Sequence, residues 1–353
     1  MTFKLKHPYY ETIIRLASLF KKHNYELFVV GGTIRDALLG GVSTDIDLAT
    51  NATPEKIEKI CNKTLATGKK YGTITIFQTY QNKTIPMQIT TYRSEGNYAD
   101  KRHPDTVKFE TSLQEDIKRR DFTMNALAYD PLTEELIDYV NAQQDLKKKI
   151  IRVVGDPITR FNEDSLRLIR CCRFIAQLEF NCDKKTWDAL CKLAKIMTLP
   201  AKERITIELL KLVSSKHPSL GIDALIQSGL GDRLLPGLSQ VNQAVLQEIN
   251  TIPIDIRLAY LLKELDLQIC FNMLSLSKQQ QRWIHNIIRY DFDQKKAAFQ
   301  KTDLALSGLD IKAMGFIGKQ IGIIQRACYE YVMQDFTNNT KQKLQQFIYQ
   351  RYK

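Results

Sequence analysis

The sequence lacks any long apolar run. No stretch of it approaches the roughly 20 consecutive apolar residues that a membrane-spanning helix needs. The first residues include early lysines, but no apolar core of the kind found in a secretory signal follows them. These absences exclude membrane-embedded classes, and we expect a protein without a membrane association.

Cysteine pairs with the spacing of a metal site are also lacking. The chain has seven cysteines, none of which forms a Cys-x-x-Cys pair, and Cys171 and Cys172 are adjacent. This pattern favours neither a zinc site nor a disulfide framework. We expect reduced, packed thiols, which are typical of a cytoplasmic location.

Negative charge is scarce relative to positive charge. Lys and Arg number 51 against 39 Asp and Glu, which gives a formal net charge of +12. A basic protein favours a polyanionic partner, and nucleic acid is the leading candidate. A basic, solvated surface without such a partner is the alternative that charge alone leaves open.

Repeats and low-complexity tracts are absent from the 353 residues, and hydrophobic periodicity divides them into two halves. Over about the first 140 residues, a helical period at 10–22 is followed by predicted strands at 27–30, 46–49, 73–79, 85–92, 107–109 and 126–129. From about residue 146 the strand signal disappears, and apolar residues recur at helical spacing, as in 163–178, 203–213 and 319–333. We therefore predict an α+β fold in which a mixed sheet with helices precedes an all-α half.

Paired glycines follow the first predicted strand. Gly31 and Gly32 precede Arg35 by a few residues. Because glycine has no side chain, such a turn lets backbone N–H groups approach phosphate oxygens, and the arginine adds a charge-assisted contact. An ordinary turn is the alternative interpretation of two glycines.

Two aspartates lie on the next predicted strand. Asp45 and Asp47 are two residues apart, so on a strand both carboxylates leave the same face. Such a pair can share Mg²⁺ ions that neutralise a triphosphate and activate an attacking hydroxyl. A solvent-facing pair of acids in a loop is the alternative.

Two later segments add polar side chains of the same chemical kind. Residues 115–126 contain Arg120, Asp121 and Asn125, which are suited to phosphates and ribose hydroxyls. In the predicted helix 160–174, Asp164 and Arg167 are three residues apart and share one face. A surface ladder of salt bridges is the alternative for this helix.

In this order and spacing, the segments resemble the class II tRNA nucleotidyltransferase and poly(A) polymerase family. They read Gly-Gly-x-x-Arg-Asp with Asp-x-Asp, then Arg-Arg-Asp-Phe-Thr-x-Asn-Ala, then Glu-Asp-x-x-Arg. The resemblance runs through most of the chain and is densest over 27–180. It implies a nucleotidyltransferase-fold head over 1–145, a helical neck with base recognition over 146–210, and a helical body and tail that bind tRNA over 211–353.

The resemblance also implies a role for each motif residue. Asp45 and Asp47 would be catalytic and would hold Mg²⁺, and Asp164 and Arg167 would read the nucleotide base. The full set of nucleotide-binding residues would be Gly32, Arg35, Arg120, Asp121, Asn125, Asp164, Arg167, Arg170 and Arg173. Cytosine and adenine both present an amino donor beside a ring-nitrogen acceptor, so an aspartate and an arginine fit either base, whereas uracil and guanine present the reverse pattern.

The implied activity is template-independent addition of CCA to the 3′ end of tRNA from CTP and ATP, with release of pyrophosphate and no obligatory protein partner. Residues 92–104 look like the family's flexible loop at full length, which favours competence for the final adenosine. The alternatives are a specialist that adds A or CC, a poly(A) polymerase, or a non-catalytic RNA-binding protein.

One position departs from the family's pattern. An acid commonly precedes the Thr-Thr-aromatic run, but here Gln88 stands before Ile89-Thr90-Thr91-Tyr92. We expect Asp45 and Asp47 to suffice for catalysis. Reduced activity is the alternative.

Overall fold

The computed structural model of the protein describes residues 3–43, 45–95, 107–109 and 112–352. The chain forms two compact units. The larger unit contains Met1–Thr251 and Gln268–Ser275, and the smaller unit contains Ile252–Leu267 and Leu276–Lys353. In the described part of the chain, no helix has the length and apolar character needed to cross a membrane.

The strands lie before residue 183. They are β1 (Phe28–Val30), β2 (Asp47–Thr50), β3 (Thr64–Gly68), β4 (Thr73–Tyr80), β5 (Lys83–Thr91), β6 (Arg93–Glu95), β7 (Val107–Phe109), β8 (Ala128–Tyr129), β9 (Leu136–Ile137), β10 (Ile150–Ile151) and β11 (Asn181–Cys182).

The helices lie mostly after residue 140. They are α1 (Tyr10–Lys22), α2 (Gly32–Leu38), α3 (Pro54–Ile60), α4 (Leu113–Lys118), α5 (Ala142–Lys148), α6 (Pro157–Glu163), α7 (Leu166–Leu178), α8 (Lys184–Ala194), α9 (Lys202–Val213), α10 (Pro218–Gln227), α11 (Gly231–Leu234), α12 (Gln243–Glu248), α13 (Arg257–Leu262), α14 (Leu267–Met273), α15 (Lys278–Arg289), α16 (Gln294–Ala298), α17 (Gly308–Ala313), α18 (Lys319–Gln334) and α19 (Lys341–Tyr352).

The main sheet runs β3-β4-β5-β2-β1-β8-β9, and its β2–β5 pair is parallel. The alternating sequence of β4 buries Ile74 and Ile76 completely on one face, which α3 covers. The opposite face carries polar side chains, because Asp47 on β2, Gln88 on β5 and Thr75 on β4 are in register. This polar face is therefore available to form a site.

Helix α7 is the centre of the helical part of the larger unit. It packs against α9 and α10, and it buries Leu168, Ile169, Cys172 and Ala176. The other side of α7 carries arginines. The helix thus joins the apolar core to a polar surface.

The smaller unit has an apolar core of its own. Its buried residues are Leu304, Leu306, Ile311, Phe316, Ile324, Cys328, Val332, Leu344 and Ile348. Helices α17, α18 and α19 supply most of them. The two cores are consistent with more than one domain, but the predicted boundaries near 145 and 210 stay a prediction.

The predicted fold class is confirmed, with two local corrections. The half predicted to be all-helical contains a small parallel pair, β10 with β11. The predicted continuous helix over 163–178 is wrong at its start, because α6 ends at Glu163 and Asp164 is extended at φ −145° and ψ 105°. The helical period could not reveal this break, since the apolar spacing continues across it.

The crossing of α7, α9 and α10 predicts a steric effect at Gly221. A Cβ at this position would lie 2.7 Å from the Ala176 Cβ and 2.9 Å from the Cys172 carbonyl oxygen. We expect Gly221→Ala to lower the free energy of unfolding of the larger unit by about 1–3 kcal/mol, because the backbones must separate. Denaturant unfolding followed by the fluorescence of Trp187, in a Trp283→Phe background, measures it.

Gly322→Ala provides the matched control. Gly322 also lies inside a helix, but a Cβ there would meet nothing within 4 Å. We expect this change to stabilise the smaller unit by about 0.5–1 kcal/mol through helix propensity. Equal effects of the two substitutions would contradict the packing argument.

Candidate functional site

One cleft of the larger unit, with a volume of about 1080 Å³, contains the predicted site residues. All eleven line it: Gly32, Arg35, Asp45, Asp47, Arg120, Asp121, Asn125, Asp164, Arg167, Arg170 and Arg173. They come from motifs up to 140 residues apart in the sequence. Their roles in binding and catalysis stay predictions, but their convergence is a property of the fold.

The glycine turn leaves room at one end of the cleft. Gly31 has φ +72°, a backbone conformation that favours glycine. A Cβ at Gly31 would lie 3.6 Å from both Asp47 Oδ2 and Arg120 Nη1. The turn therefore brings the backbone close to a carboxylate and a guanidinium.

The segment that carries the two aspartates is held by Thr33. The Thr33 hydroxyl donates to the carbonyl of Asp45 at 3.0 Å and accepts the N–H of Asp47 at 3.5 Å. Asp45 is exposed and Asp47 is half-buried. Burial raises the pKa of Asp47, and the charge of Asp45 adds to this, while Arg120 and Arg170 oppose it.

The two carboxylates at this end suit a divalent cation whose remaining coordination positions are filled by other ligands. No group of three or more His, Cys, Asp or Glu side chains suited to a metal occurs among the described residues. Mg²⁺ is usually bound through one or two carboxylates, with waters and substrate phosphates completing its octahedron. Asp45 and Asp47 match that pattern.

Asp116 organises two arginines beside the carboxylate pair. It is buried, and it accepts hydrogen bonds from Arg119 Nη2 at 2.6 Å and from Arg120 Nη2 at 3.0 Å. Burial alone would raise the pKa of Asp116, but the two guanidiniums hold it below its ordinary value. Arg120 Nε is buried and has no hydrogen-bond partner among the described residues.

A second buried carboxylate, Asp121, connects the sheet to α7. Its Oδ2 accepts from Arg170 Nε at 2.9 Å and Nη2 at 2.5 Å, and its Oδ1 accepts from Asn125 Nδ2 at 3.2 Å. Asn125 Oδ1 in turn accepts from Arg35 Nη1 at 2.7 Å. Burial would raise the pKa of Asp121, but Arg170 and these hydrogen bonds hold it well below its usual value.

Phe174 and Glu208 support the arginines of α7. The guanidinium of Arg173 lies 3.7 Å from the centre of the Phe174 ring, and those of Arg35 and Arg170 lie 5.3 and 5.5 Å from it. Arg173 Nε also donates to Glu208 Oε2 at 2.6 Å. Cation–π contacts and buried carboxylates thus offset the repulsion among three neighbouring cations.

Asp164 and Arg167 both line the cleft, but their side chains do not pair with each other, and only the Arg167 backbone N–H donates to the Asp164 carbonyl, at 3.0 Å. Arg204 holds Asp164 through two parallel hydrogen bonds of 3.0 and 2.7 Å. Arg167 donates to Glu163 at 2.6 Å and to the carbonyl of Arg119 at 3.1 Å. The surface salt-bridge ladder proposed as the alternative does not describe these residues, since their exposed side-chain fractions are 15% and 9%.

Sequence reasoning missed several supporting residues of the cleft. Asp116 and Phe174 received no role although they lie within segments that carry the motifs, and Arg204 and Glu208, which lie on α9 outside those segments, received none either. The position of Asp116, three and four residues before two arginines, was an available signal. The predicted loop over 92–104 lies mostly outside the described residues.

Two family models match the chain. The poly A polymerase head domain matches residues 27–152. A second model, described as the probable RNA and SrmB-binding site of polymerase A, matches residues 179–241. The first match covers the glycine, aspartate and Arg-Arg-Asp motifs, so the resemblance is confirmed for the head domain.

Known proteins agree with these matches. The CCA-adding enzyme of Bacillus licheniformis is 41% identical over 226 residues, which are 64% of this chain and 55% of that protein. The chain thus spans about half the length of this curated relative. A crystal structure of the Bacillus stearothermophilus CCA-adding enzyme with CTP covers 98% of both chains at 24% identity, with a TM-score of 0.67. The Thermotoga maritima CCA-adding enzyme complexed with tRNA covers 96% of this chain and 95% of its own, at 19% identity and a TM-score of 0.60.

The Asp121–Arg170 pair predicts a pH-dependent stability. We expect Arg170→Met to lower the free energy of unfolding by about 3 kcal/mol at neutral pH, because it leaves a buried carboxylate without its cation. The pKa of Asp121 is lower in the folded protein than in the unfolded chain, so this stabilisation is present above the unfolded pKa and is lost as the pH falls towards the folded pKa. The difference between wild type and variant should therefore shrink below about pH 4.

Denaturant titrations from pH 7 to pH 3 measure this difference. Arg326→Met is the control, because Arg326 pairs with Glu330 on the surface of the smaller unit. Its effect should stay below about 1 kcal/mol at every pH. A difference for Arg170→Met that is constant over the range would contradict the argument.

Proposed function

Because residues 27–152 belong to the poly A polymerase head-domain family, we propose that the chain is a template-independent tRNA nucleotidyltransferase that adds CCA to tRNA 3′ ends from CTP and ATP. The observation that carries this proposal is that a single cleft holds both a carboxylate pair, Asp45 and Asp47, and a pair suited to a base, Asp164 and Arg167. The triphosphate of a nucleotide would lie at the carboxylate pair, and its base would lie at Asp164 and Arg167. The name of the curated relative supports CCA addition in particular.

The proposed catalytic end works mainly by positioning and electrostatics. Asp45 and Asp47 would hold Mg²⁺, which when bound neutralises triphosphate charge and favours attack by a hydroxyl. Gly32, next to the open turn, lets the backbone approach the phosphates, and the Arg120 guanidinium, which lines the cleft near Asp47, adds positive charge. Arg35 is tied to Asn125 and Asp36, so it contributes fixed positive charge. The tRNA 3′-hydroxyl is the proposed nucleophile and pyrophosphate the leaving group.

The proposed base-reading end selects cytosine and adenine. Two hydrogen bonds from Arg204 orient the Asp164 carboxylate, whose oxygens accept hydrogen bonds and so suit an amino donor on the base. Arg167 is anchored by Glu163 and two backbone carbonyls, which leaves N–H groups to donate to a ring nitrogen. Uracil or guanine would place a carbonyl oxygen against the Asp164 carboxylate and a ring N–H against the Arg167 guanidinium. Such unpaired acceptors and donors are costly in a buried site.

The predicted domain roles are part of the proposal. Residues 1–145 form the catalytic head, 146–210 the neck that reads the base, and 211–353 the body and tail that bind tRNA. Basic residues of the helical half would contact tRNA phosphates: Lys147, Lys148, Lys149, Lys341, Lys343 and Arg351. A cytoplasmic location stays a prediction.

Primer extension tests the activity directly. Three tRNA transcripts that end at the discriminator base, at C and at CC should all be extended to CCA when CTP, ATP and Mg²⁺ are present. Asp45→Ala should reduce the rate by at least about a thousandfold, since one of two metal-holding carboxylates is lost. Denaturing gels with labelled nucleotide measure both.

Other outcomes of this assay separate the alternatives. Extension of the CC-ended transcript alone would indicate a specialist for A, and addition stopping at CC would indicate a specialist for C. Long ATP-derived tails on any RNA would indicate a poly(A) polymerase. No product with any transcript would favour a non-catalytic RNA-binding protein.

Base selection should depend on Arg204. We expect Arg204→Met to lower the ratio of kcat/KM for CTP to that for UTP by about tenfold or more, because Asp164 loses the partner that fixes its orientation. Lys211→Met is the matched control, since it removes another cation from the same cleft. Equal losses for CTP and UTP in the Arg204 variant would contradict this role.

A further inference from the structure

Gln88 stands beside the carboxylate pair. In the parallel pairing of β2 with β5, Gln88 is the register partner of Asp47. The backbone N–H of Gln88 donates to the carbonyl of Ile46 at 3.0 Å. Register partners on adjacent strands project from the same face of a sheet, with the strands about 4.8 Å apart. The Gln88 side chain therefore projects from the same face of the sheet as Asp47, one strand away.

The chemistry of this neighbour differs from that of the two acids. Gln88 is exposed, so its amide can reach a ligand of Asp47 without a change in the core. An amide oxygen is a hard donor of the kind that Mg²⁺ accepts, but it carries no charge. The described protein groups at this place thus supply two negative charges, and the guanidinium of Arg120 lies on the other side of Asp47, at the Gly31 turn.

Cation affinity at carboxylate sites rises with the number of charged ligands. We propose, on the basis of the function proposed above, that neutral Gln88 keeps the affinity of the Asp45 and Asp47 pair for divalent cations low, so that the cation binds tightly only together with a nucleoside triphosphate. The triphosphate oxygens supply the charge that the protein lacks. By linkage, the cation and the nucleotide each raise the affinity of the other by the same factor.

Binding of Mn²⁺ tests this inference without turnover. Free Mn²⁺ is measured by electron paramagnetic resonance, in the absence of tRNA, with and without CTP, and a protein-free titration accounts for the Mn²⁺ that CTP itself binds. We expect the wild type to bind Mn²⁺ weakly alone and at least about a hundredfold more tightly with CTP, a coupling at the strong end of those found between two ligands. Gln88→Asp should bind Mn²⁺ alone about tenfold more tightly than the wild type, with a correspondingly smaller gain from CTP. Gln88→Glu is a second variant with the same expectation.

Thr75→Asp is the matched control. Thr75 is the register partner of Gln88 on β4, on the same face of the sheet but one strand further from Asp47. Two strand spacings put it about 9.6 Å from Asp47, beyond direct coordination of a shared cation. We expect its affinity for Mn²⁺ alone to stay within about twofold of the wild type, since exposed charges at that distance are screened.

The outcomes separate this inference from the proposed function. The inference would be overturned if neither Gln88 variant changed the affinity for Mn²⁺, or if Thr75→Asp raised it equally. In either case, loss of binding in Asp47→Asn would still support the carboxylate pair as the metal site. Tight binding of Mn²⁺ by the wild type without CTP would also overturn it. No binding of Mn²⁺ by the wild type even with CTP would instead count against the proposed function.

Discussion

The ion pair between Asp121 and Arg170 is the contact on which the cleft depends. Asp121 follows the short helix that precedes the last strands of the main sheet, and Arg170 lies in the middle of α7. Through Asn125, the same carboxylate reaches Arg35 on α2. One buried group thus fixes the relative positions of three chain segments. If it were lost, the proposed catalytic and base-reading ends would no longer be held at a defined separation.

The high density of positive charge in the cleft must be compensated by the neighbouring acidic and aromatic side chains. Nine cationic side chains line it against five carboxylates. The buried acids Asp116 and Glu208 lie behind this surface and pair with its arginines, and Phe174 packs against three guanidiniums. A surface built this way stays folded when empty, since each buried cation has a partner, yet keeps excess positive charge for a polyanion. The same arginines therefore form the ion pairs of the folded cleft and give it the positive charge that suits a polyanion.

Much of this architecture was predictable from local sequence. Alternating apolar residues gave the strands of the sheet, and the glycine and aspartate motifs pointed to residues that do line one cleft. The helix break at Asp164 was not predictable, because the apolar period crosses it. The partners of Asp164 and Arg167 were missed for another reason. Spacing of three residues placed them on one face of a helix but did not identify their partners, which are Arg204, 40 residues away, and Glu163.

The sequence by itself determined most element types, the basic character of the protein and the presence of side chains suited to a nucleotide. These follow from periodicity and residue chemistry, which are local properties. The tertiary structure alone decided which groups neutralise which arginines, and that Gln88 lies in register with Asp47. Strand register and ion pairing between distant segments depend on how the sheet and helices pack, and a one-residue slip would turn Gln88 to the opposite face. That information is present only in the folded chain.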